Sequence, residues 1–375
     1  MSEMLTFAIV VMREHFGACP SVWPRIANAP FARIGGAQPR RALAQAALAA
    51  AAGAASWLLL RRDRWKAIRC HPWAVVRWQY KRFAIYGFAR RLDAAVAGLP
   101  PPADASRDVW PAAVVDAVVA GGPDTYQRRQ SHRLQARALL ARVAAFDPRT
   151  VVDLGAGKAL LSRCCYEAFG RKVRVVALDR REVDARDALY DPPDVGAGDA
   201  AYARVVGDVA DFGARLEETS GVVCVSKHLC GSATDAALAG VAAAAAVDAC
   251  VLAPCCHQKA KKRDYANVAF LEEAGFCKEH TGLRGGAQDN DFRTLLWLVQ
   301  FSKSDNPQAW EHRKRVMTTI LGFDRCRDLG LKARRLLEEG RLRYLRDRGF
   351  EATLVRYVDA ATTPDNLAIV GVRAR

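Results

Sequence analysis

From residue 125 onward, short apolar runs alternate with longer segments whose apolar residues recur at helical spacing. Residues 151–154, 173–178, 203–206, 222–225 and 249–253 are runs of four to six residues, mostly valine and alanine. That length and composition predict strands buried on both faces. Residues 126–145, 234–246 and 266–274 carry the helical period, and Asp147-Pro148 closes the first of them. A less regular, partly polar stretch (282–324) leads to a long basic helix at 332–348 and two last strands at 352–357 and 367–372. The order predicts an α/β, Rossmann-like architecture: a doubly wound, mainly parallel seven-stranded sheet whose last two strands form a closing antiparallel pair.

The first 110 residues differ in character and predict a helical basic extension. Residues 42–60 form a 19-residue run broken only by Gln45 and Ser56 and bracketed by arginine pairs. The length suits a membrane span, but alanine is weakly hydrophobic, so a packed helix fits equally. A targeting segment is a third reading, since residues 4–62 hold seven arginines and one acid, Glu14. Residues 61–91 then carry ten basic side chains and one acid, interleaved with Trp65, Trp73, Trp78, Tyr80, Phe83, Tyr86 and Phe88. Cations can neutralise phosphates while aromatic faces stack on bases, which suits RNA; an ordinary amphipathic helix is the plainer alternative. Residues 98–108, with Pro100, Pro101 and Pro102 in series, are the expected boundary. The expected organisation is thus 1–60, 61–110 and a catalytic domain at 125–375.

Length and composition narrow the class. With 375 residues, 51% hydrophobic and 26% charged, the chain excludes collagen-like, coiled-coil and wholly disordered proteins. The formal charge of +16 points to a polyanionic partner, nucleic acid or anionic membrane. Eleven cysteines, several inside apolar runs, read as reduced intracellular thiols, in nucleus or cytoplasm unless the first segment directs the chain to an organelle.

Candidate chemistry starts at Val-Val-Asp-Leu-Gly-Ala-Gly-Lys (151–158), a strand running into a glycine turn. A phosphate-cradling loop needs four residues between its glycine and Gly-Lys-Ser/Thr, and a dinucleotide fingerprint needs a glycine where Leu160 stands; both fail. An S-adenosyl-L-methionine pocket fits. Gly155 and Gly157 let the backbone turn toward the cofactor, with Asp153 beside them. Asp179, 22 residues past Gly157, ends the second strand where an acid can hold both ribose hydroxyls, and Asp208 ends the third where an acid can reach the adenine amino group. Each acid taken singly is as readily a helix or turn cap.

The fourth and fifth strands end in Ser226-Lys227-His228-Leu229-Cys230-Gly231 and Ala253-Pro254-Cys255-Cys256-His257-Gln258. Doubly wound sheets bind ligands at such ends, so Lys227, His228, Asp235, Cys255, Cys256 and His257 should gather round one cleft. Lys259, Lys261, Lys262 and Arg263 follow directly and should flank it as phosphate contacts, although charge runs are usually solvated faces.

These motifs resemble the eukaryotic tRNA 2′-O-methyltransferases that modify the ribose of acceptor-stem nucleotide 4, the tRNA:m4X modification enzymes. The resemblance rests on Asp-Leu-Gly-Ala-Gly-Lys (153–158), Lys-His-Leu-Cys-Gly-Ser-Ala-Thr-Asp (227–235), Cys-Cys-His-Gln (255–258) and Leu-Leu-Glu-Glu-Gly-Arg-Leu-Arg-Tyr-Leu (336–345), with Tyr-Val-Asp (357–359) and Thr-Pro-Asp-Asn (363–366) after them. It covers roughly residues 125–375 and implies methyl transfer from S-adenosyl-L-methionine to a ribose 2′-hydroxyl of tRNA, without an obligate protein partner. Three departures stand out: the family's N-terminal zinc modules have no matching cysteine/histidine spacing before residue 150, Gln258 replaces its second histidine, and residues 290–305 match the corresponding stretch only loosely.

For that reaction Lys227 can lower the hydroxyl's pKa or hold a phosphate, and His228, Asp235 or His257 can accept the proton. The spacing does not rank them, and each can equally be structural. Two further readings concern the cysteines. Pro254-Cys255 suits nucleophilic attack on a cytosine base, giving a base methyltransferase instead. Zinc on Cys255, Cys256 and His257, with Cys230 or His228, is weighed against the awkwardness of adjacent ligands, and no metal is expected. A non-catalytic RNA-binding protein on the same fold is the remaining alternative.

Overall fold

A computed structural model describes residues 72–121, 129–182, 190–193, 199–279, 283, 290–303 and 316–374. The run at 42–60 and residues 61–71 of the basic aromatic stretch lie outside these residues. No helix among the described residues is long and apolar enough to cross a membrane. The chain divides into two compact units, Met1–Ala89 and Arg90–Arg375. In the first, helix α1 (Pro72–Ala97) begins, with Phe83 and Tyr86 exposed.

The second unit is built on eight strands: β1 (Ala103–Asp104), β2 (Thr150–Leu154), β3 (Arg174–Asp179), β4 (Tyr202–Val206), β5 (Val222–Leu229), β6 (Val247–Pro254), β7 (Phe350–Arg356) and β8 (Leu367–Arg373). Their order across the sheet is β1-β7-β8-β6-β5-β2-β3-β4. Strands β2 to β6 are parallel, and β8 inserts antiparallel between β6 and β7. The expected closing pair is therefore present, with one strand added. Ala103 and Asp104, within the expected boundary stretch at 98–108, pair with Val355 and Arg356 at the sheet edge, and the two units divide between residues 89 and 90.

The period-two alternation of the strands sorts two cores. Val151, Val175, Ala177, Val223, Val225 and Val251 face helices α2 (Ala112–Gly121), α3 (Gln130–Ala144) and α4 (Leu160–Phe169). Val152, Leu154, Leu178, Cys224, Cys250 and Leu252 face the other way, toward α5 (Ser232–Ala243) and α9 (Phe323–Arg346). Three further helices, α6 (Val268–Glu273), α7 (Asp291–Val299) and α8 (Val316–Leu321), complete the unit. Each leucine or valine buried in these cores is worth about 1.5–3 kcal/mol, so a slip of one residue in any central strand is prohibited energetically.

Strands β3 and β4 lie to one side of β2, and β5 and β6 to the other. The β2–β5 junction is thus the topological switch point, the crevice where open α/β sheets bind ligands.

Candidate active site

The turn after β2 is a compact, over-determined loop. Gly155 (φ 73°), Gly157 (φ 52°) and Ala159 (φ 63°) occupy left-handed conformations. The alanine tolerates its strain because the turn is fixed from several sides. Gly155 and Ala156 both donate backbone N–H groups to Leu178 O at 2.9 Å, and Ala159 N donates to Ala156 O at 2.8 Å. Asp179 Oδ2 accepts from Gly157 N at 2.9 Å, while its Oδ1 accepts from Arg181 N. Arg204 on β4 donates to Gly157 O at 3.0 Å and is itself clamped in bidentate fashion by Asp191. A Cβ at Gly155 would press on Leu229 Cδ2 at 3.1 Å, whereas one at Gly157 would meet no atom within 4 Å. The turn therefore packs on one side and faces free space on the other, with the Asp179 carboxylate at its rim. Those residues fit a nucleoside ligand.

The other two expected pocket acids differ in burial. Asp208, at the end of β4, accepts from Ala210 N in an Asx turn. Asp153 is buried, and its Oδ2 accepts from the backbone and hydroxyl of Ser162 at 3.1 and 2.7 Å. Burial raises its pKa to about 6, against the Ser162 hydrogen bonds that lower it. This carboxylate anchors the start of α4 beneath the glycine turn.

A β-bulge between Ser226 and Leu229 breaks the register of β5 with β6 at the residues of interest. Lys227 keeps the face of Val223 and Val225 and is buried, with Nζ 3.2 Å from Nδ1 of His132 on α3. Burial lowers its pKa to about 8. His228 turns outward and is exposed, its ring edge-on to His132 at 6.0 Å. Protein atoms crowded behind the ring, then the charge of Lys227 and His132, lower its pKa to about 4, so it is a neutral base throughout the neutral range. His132 escapes sequence reading: it lies 95 residues from Lys227, in an ordinary helical repeat.

Two of the expected proton acceptors are used elsewhere. Asp235 is buried in a bidentate pair with Arg341 of α9 (3.0 and 2.7 Å) and also accepts from Ala266 N. His257 is buried with Nδ1 2.9 Å from Cys255 O and Nε2 2.5 Å from Glu338 Oε1. Burial lowers the His257 pKa against the opposing pull of Glu338. Burial would raise that of Glu338, but Arg341 and the His257 hydrogen bond bring it down to about 2. Asp235 and His257 are thus buried and engaged within the fold, away from the exposed His228. Glu338 and Arg341, which complete this network, were hidden in a helix that reads as a solvated basic face; Arg334 and Arg341 are in fact buried.

The cysteines lie at the same sheet end. Cys255 is buried with Sγ 3.5 Å from Cys230 Sγ, and Cys256 is half-buried. The bond to Cys230, with burial, pushes the Cys255 thiol far above its ordinary value, which disfavours it as a free nucleophile toward a base. Along the basic loop, Lys259, Lys261 and Arg263 are exposed, while Lys262 pairs with Glu279 at 2.8 Å.

A glycine turn at the switch point of a doubly wound sheet, acids at successive strand ends and a lysine–histidine group across the crevice define a methyltransferase of the Rossmann-like class. The sequence profile described as "Methyltransferase TRM13" matches residues 134–372, and the chain belongs to that family. It is 29% identical over 199 residues to the tRNA:m(4)X modification enzyme TRM13 of Eremothecium gossypii, covering 52% of this chain and 44% of that one. The Schizosaccharomyces pombe enzyme of the same name is 25% identical over 263 residues, covering 65% and 68%. The chain spans under half the length of the first of these relatives. Among solved structures, a caffeoyl-CoA O-methyltransferase homologue from Staphylococcus aureus overlays with a TM-score of 0.34 at 9% identity, covering 68% of this chain and 88% of that one. A likeness so low bears on neither chemistry nor fold, which rest on the sheet order and the family match.

Proposed function

We propose that this chain is a tRNA 2′-O-methyltransferase that methylates a ribose 2′-hydroxyl at position 4 of the acceptor stem. The observation that carries the reading is the meeting, at one switch point, of the glycine turn and its rim carboxylate with the Lys227–His132–His228 group. S-adenosyl-L-methionine supplies the electrophilic methyl group when bound. Asp179 would hold its ribose hydroxyls and Asp208 its adenine amino group, while Gly157 leaves room for it.

The chain's own residues supply the rest. A ribose hydroxyl is a poor nucleophile at neutral pH, and a positioned base contributes about 10²- to 10⁴-fold. His228, neutral and exposed, takes the hydroxyl proton. Lys227, with a pKa near 8, is mainly cationic at pH 7 and favours the oxyanion that develops. His132 positions the Lys227 ammonium through the 3.2 Å contact. Lys259, Lys261 and Arg263 contact the phosphate backbone beside the cleft. The relatives' names, together with this basic loop, support tRNA as the substrate, which makes the site of action intracellular.

The test is incubation with methyl-labelled S-adenosyl-L-methionine and total tRNA, followed by digestion to nucleosides. Label in a 2′-O-methylated nucleoside that resists alkaline cleavage at its 3′ side is expected. Label in a base would overturn the ribose assignment, and RNA binding without label would overturn the enzymatic one.

A further inference from the structure

Nine cysteines lie among the described residues, and three of them converge. Cys164, Cys165, Cys224, Cys250 and Cys326 are buried, at most two of them neighbours, and Cys277 stands apart. Cys230, Cys255 and Cys256 instead bring their sulfurs within 4.8 Å of one another. A tetrahedral ion with metal–sulfur bonds of about 2.3 Å needs sulfur–sulfur edges of about 3.8 Å. The Cys230–Cys255 edge of 3.5 Å is already close to that length.

The convergence is built into the backbone. Gly231, at φ 59°, lets the loop after β5 press on the loop after β6: a Cβ there would meet the Lys259 carbonyl carbon at 2.5 Å and Ala260 N at 2.7 Å. Lys261 N donates to Ser232 Oγ at 3.0 Å, tying the same two loops a second time. Lys303 Nζ donates to Cys255 O at 2.6 Å, and His257 packs its ring against that same carbonyl. These contacts hold Cys255 and Cys256 facing Cys230.

We propose that Cys230, Cys255 and Cys256 form a binding site for one thiophilic divalent cation of the zinc class, with its fourth position open to solvent at the cleft edge. Two arguments favour an ion over other uses of the thiols. A disulfide would join two sulfurs at about 2.05 Å and strand the third, whereas a tetrahedral ion uses all three. Three thiolates on a divalent ion leave one net negative charge, and Lys303, whose Nζ donates to Cys255 O, brings a cation to the same loop. His257 is excluded as a ligand because both its nitrogens face inward. Bound there, the ion would clamp the carboxyl ends of β5 and β6, the strand ends that carry Lys227 and the cysteine loop.

The test uses the full chain purified under reducing conditions, with metal content and cobalt substitution as readouts that need neither tRNA nor cofactor. One equivalent of zinc per chain is expected. Replacement by Co²⁺ should give thiolate-to-metal charge-transfer absorption, lost in Cys230→Ser, Cys255→Ser and Cys256→Ser but retained in Cys277→Ser. Should the serine variants misfold, alkylation mapping of the native chain decides the matter: Zn²⁺ should protect Cys230 and Cys256 from iodoacetamide, and a chelator should expose both while lowering the melting temperature. Substoichiometric metal with no charge-transfer band after Co²⁺ addition would overturn the site. So would metal retained by all three variants, or a metal-free Cys230–Cys255 disulfide.

Discussion

The end of β5 and the segments that follow β5 and β6 carry ionisable side chains into two contrasting environments. Lys227 contacts His132 at the switch point, and the His228 ring, edge-on to His132, is exposed. Asp235 and His257, equally prominent in the motifs, are covered by α9 and consumed by Arg341 and Glu338. Ionisable side chains at a strand end thus divide by what packs over them. Those covered by α9 are paired with its side chains, which is why the proposed chemistry is assigned to the switch point.

The largest effect should come from breaking the covered side. Arg341→Met leaves Asp235 and Glu338 buried without their cation, which costs about 3–5 kcal/mol. A fall of about 10 °C in the melting temperature should follow, with methyl transfer per folded molecule little changed. Unaltered thermal unfolding would break the comparison.

The open side should reveal itself through pH. Burial lowers the Lys227 pKa from 10.5 to about 8, so the folded chain has shed a proton that the unfolded chain still holds between those values. Stability should therefore rise as pH climbs from about 8 to 10.5, by about 3 kcal/mol from this group, and the penalty should stand in full below pH 8. Urea unfolding of the wild type and Lys227→Met across that range should show the slope difference. Parallel curves would mean the amine is not held in a desolvated site.

The smallest effect on folding should come from the basic loop. Lys261→Ala and Arg263→Ala should each change stability by less than about 0.5 kcal/mol, yet each should reduce the salt slope of tRNA binding by about one. Unchanged slopes would remove this loop from the RNA contact.

Much of the fold could be read before the structure because parallel strands buried on both faces are apolar without interruption. Seven strands lie within a few residues of their expected positions. β5 runs four residues beyond its expected end because Ser226, Lys227 and His228 are polar, and in this fold polarity at a strand end marks the site rather than a loop. Helix α7 lies in the stretch read as irregular and partly polar, and the polar Asp291 and Thr294 in it are buried with its apolar residues. The two residues of β1 carry no pattern at all. For the site, Gly155, Gly157, Asp179, Lys227 and His228 could be named from motif and strand position. His132, Arg204, Glu338 and Arg341 could not, since their roles depend on contacts across 47 to 106 residues of sequence.

The division between the two environments is tested most directly by single-turnover methyl transfer to tRNA with Lys227→Met and His257→Gln, compared at equal folded fraction. Lys227→Met should slow the transfer by about 10²-fold or more, and His257→Gln should leave it within about threefold of the wild type despite a lower melting temperature. The reverse pattern, with His257→Gln abolishing transfer and Lys227→Met preserving it, would contradict the assignment of chemistry to the open side.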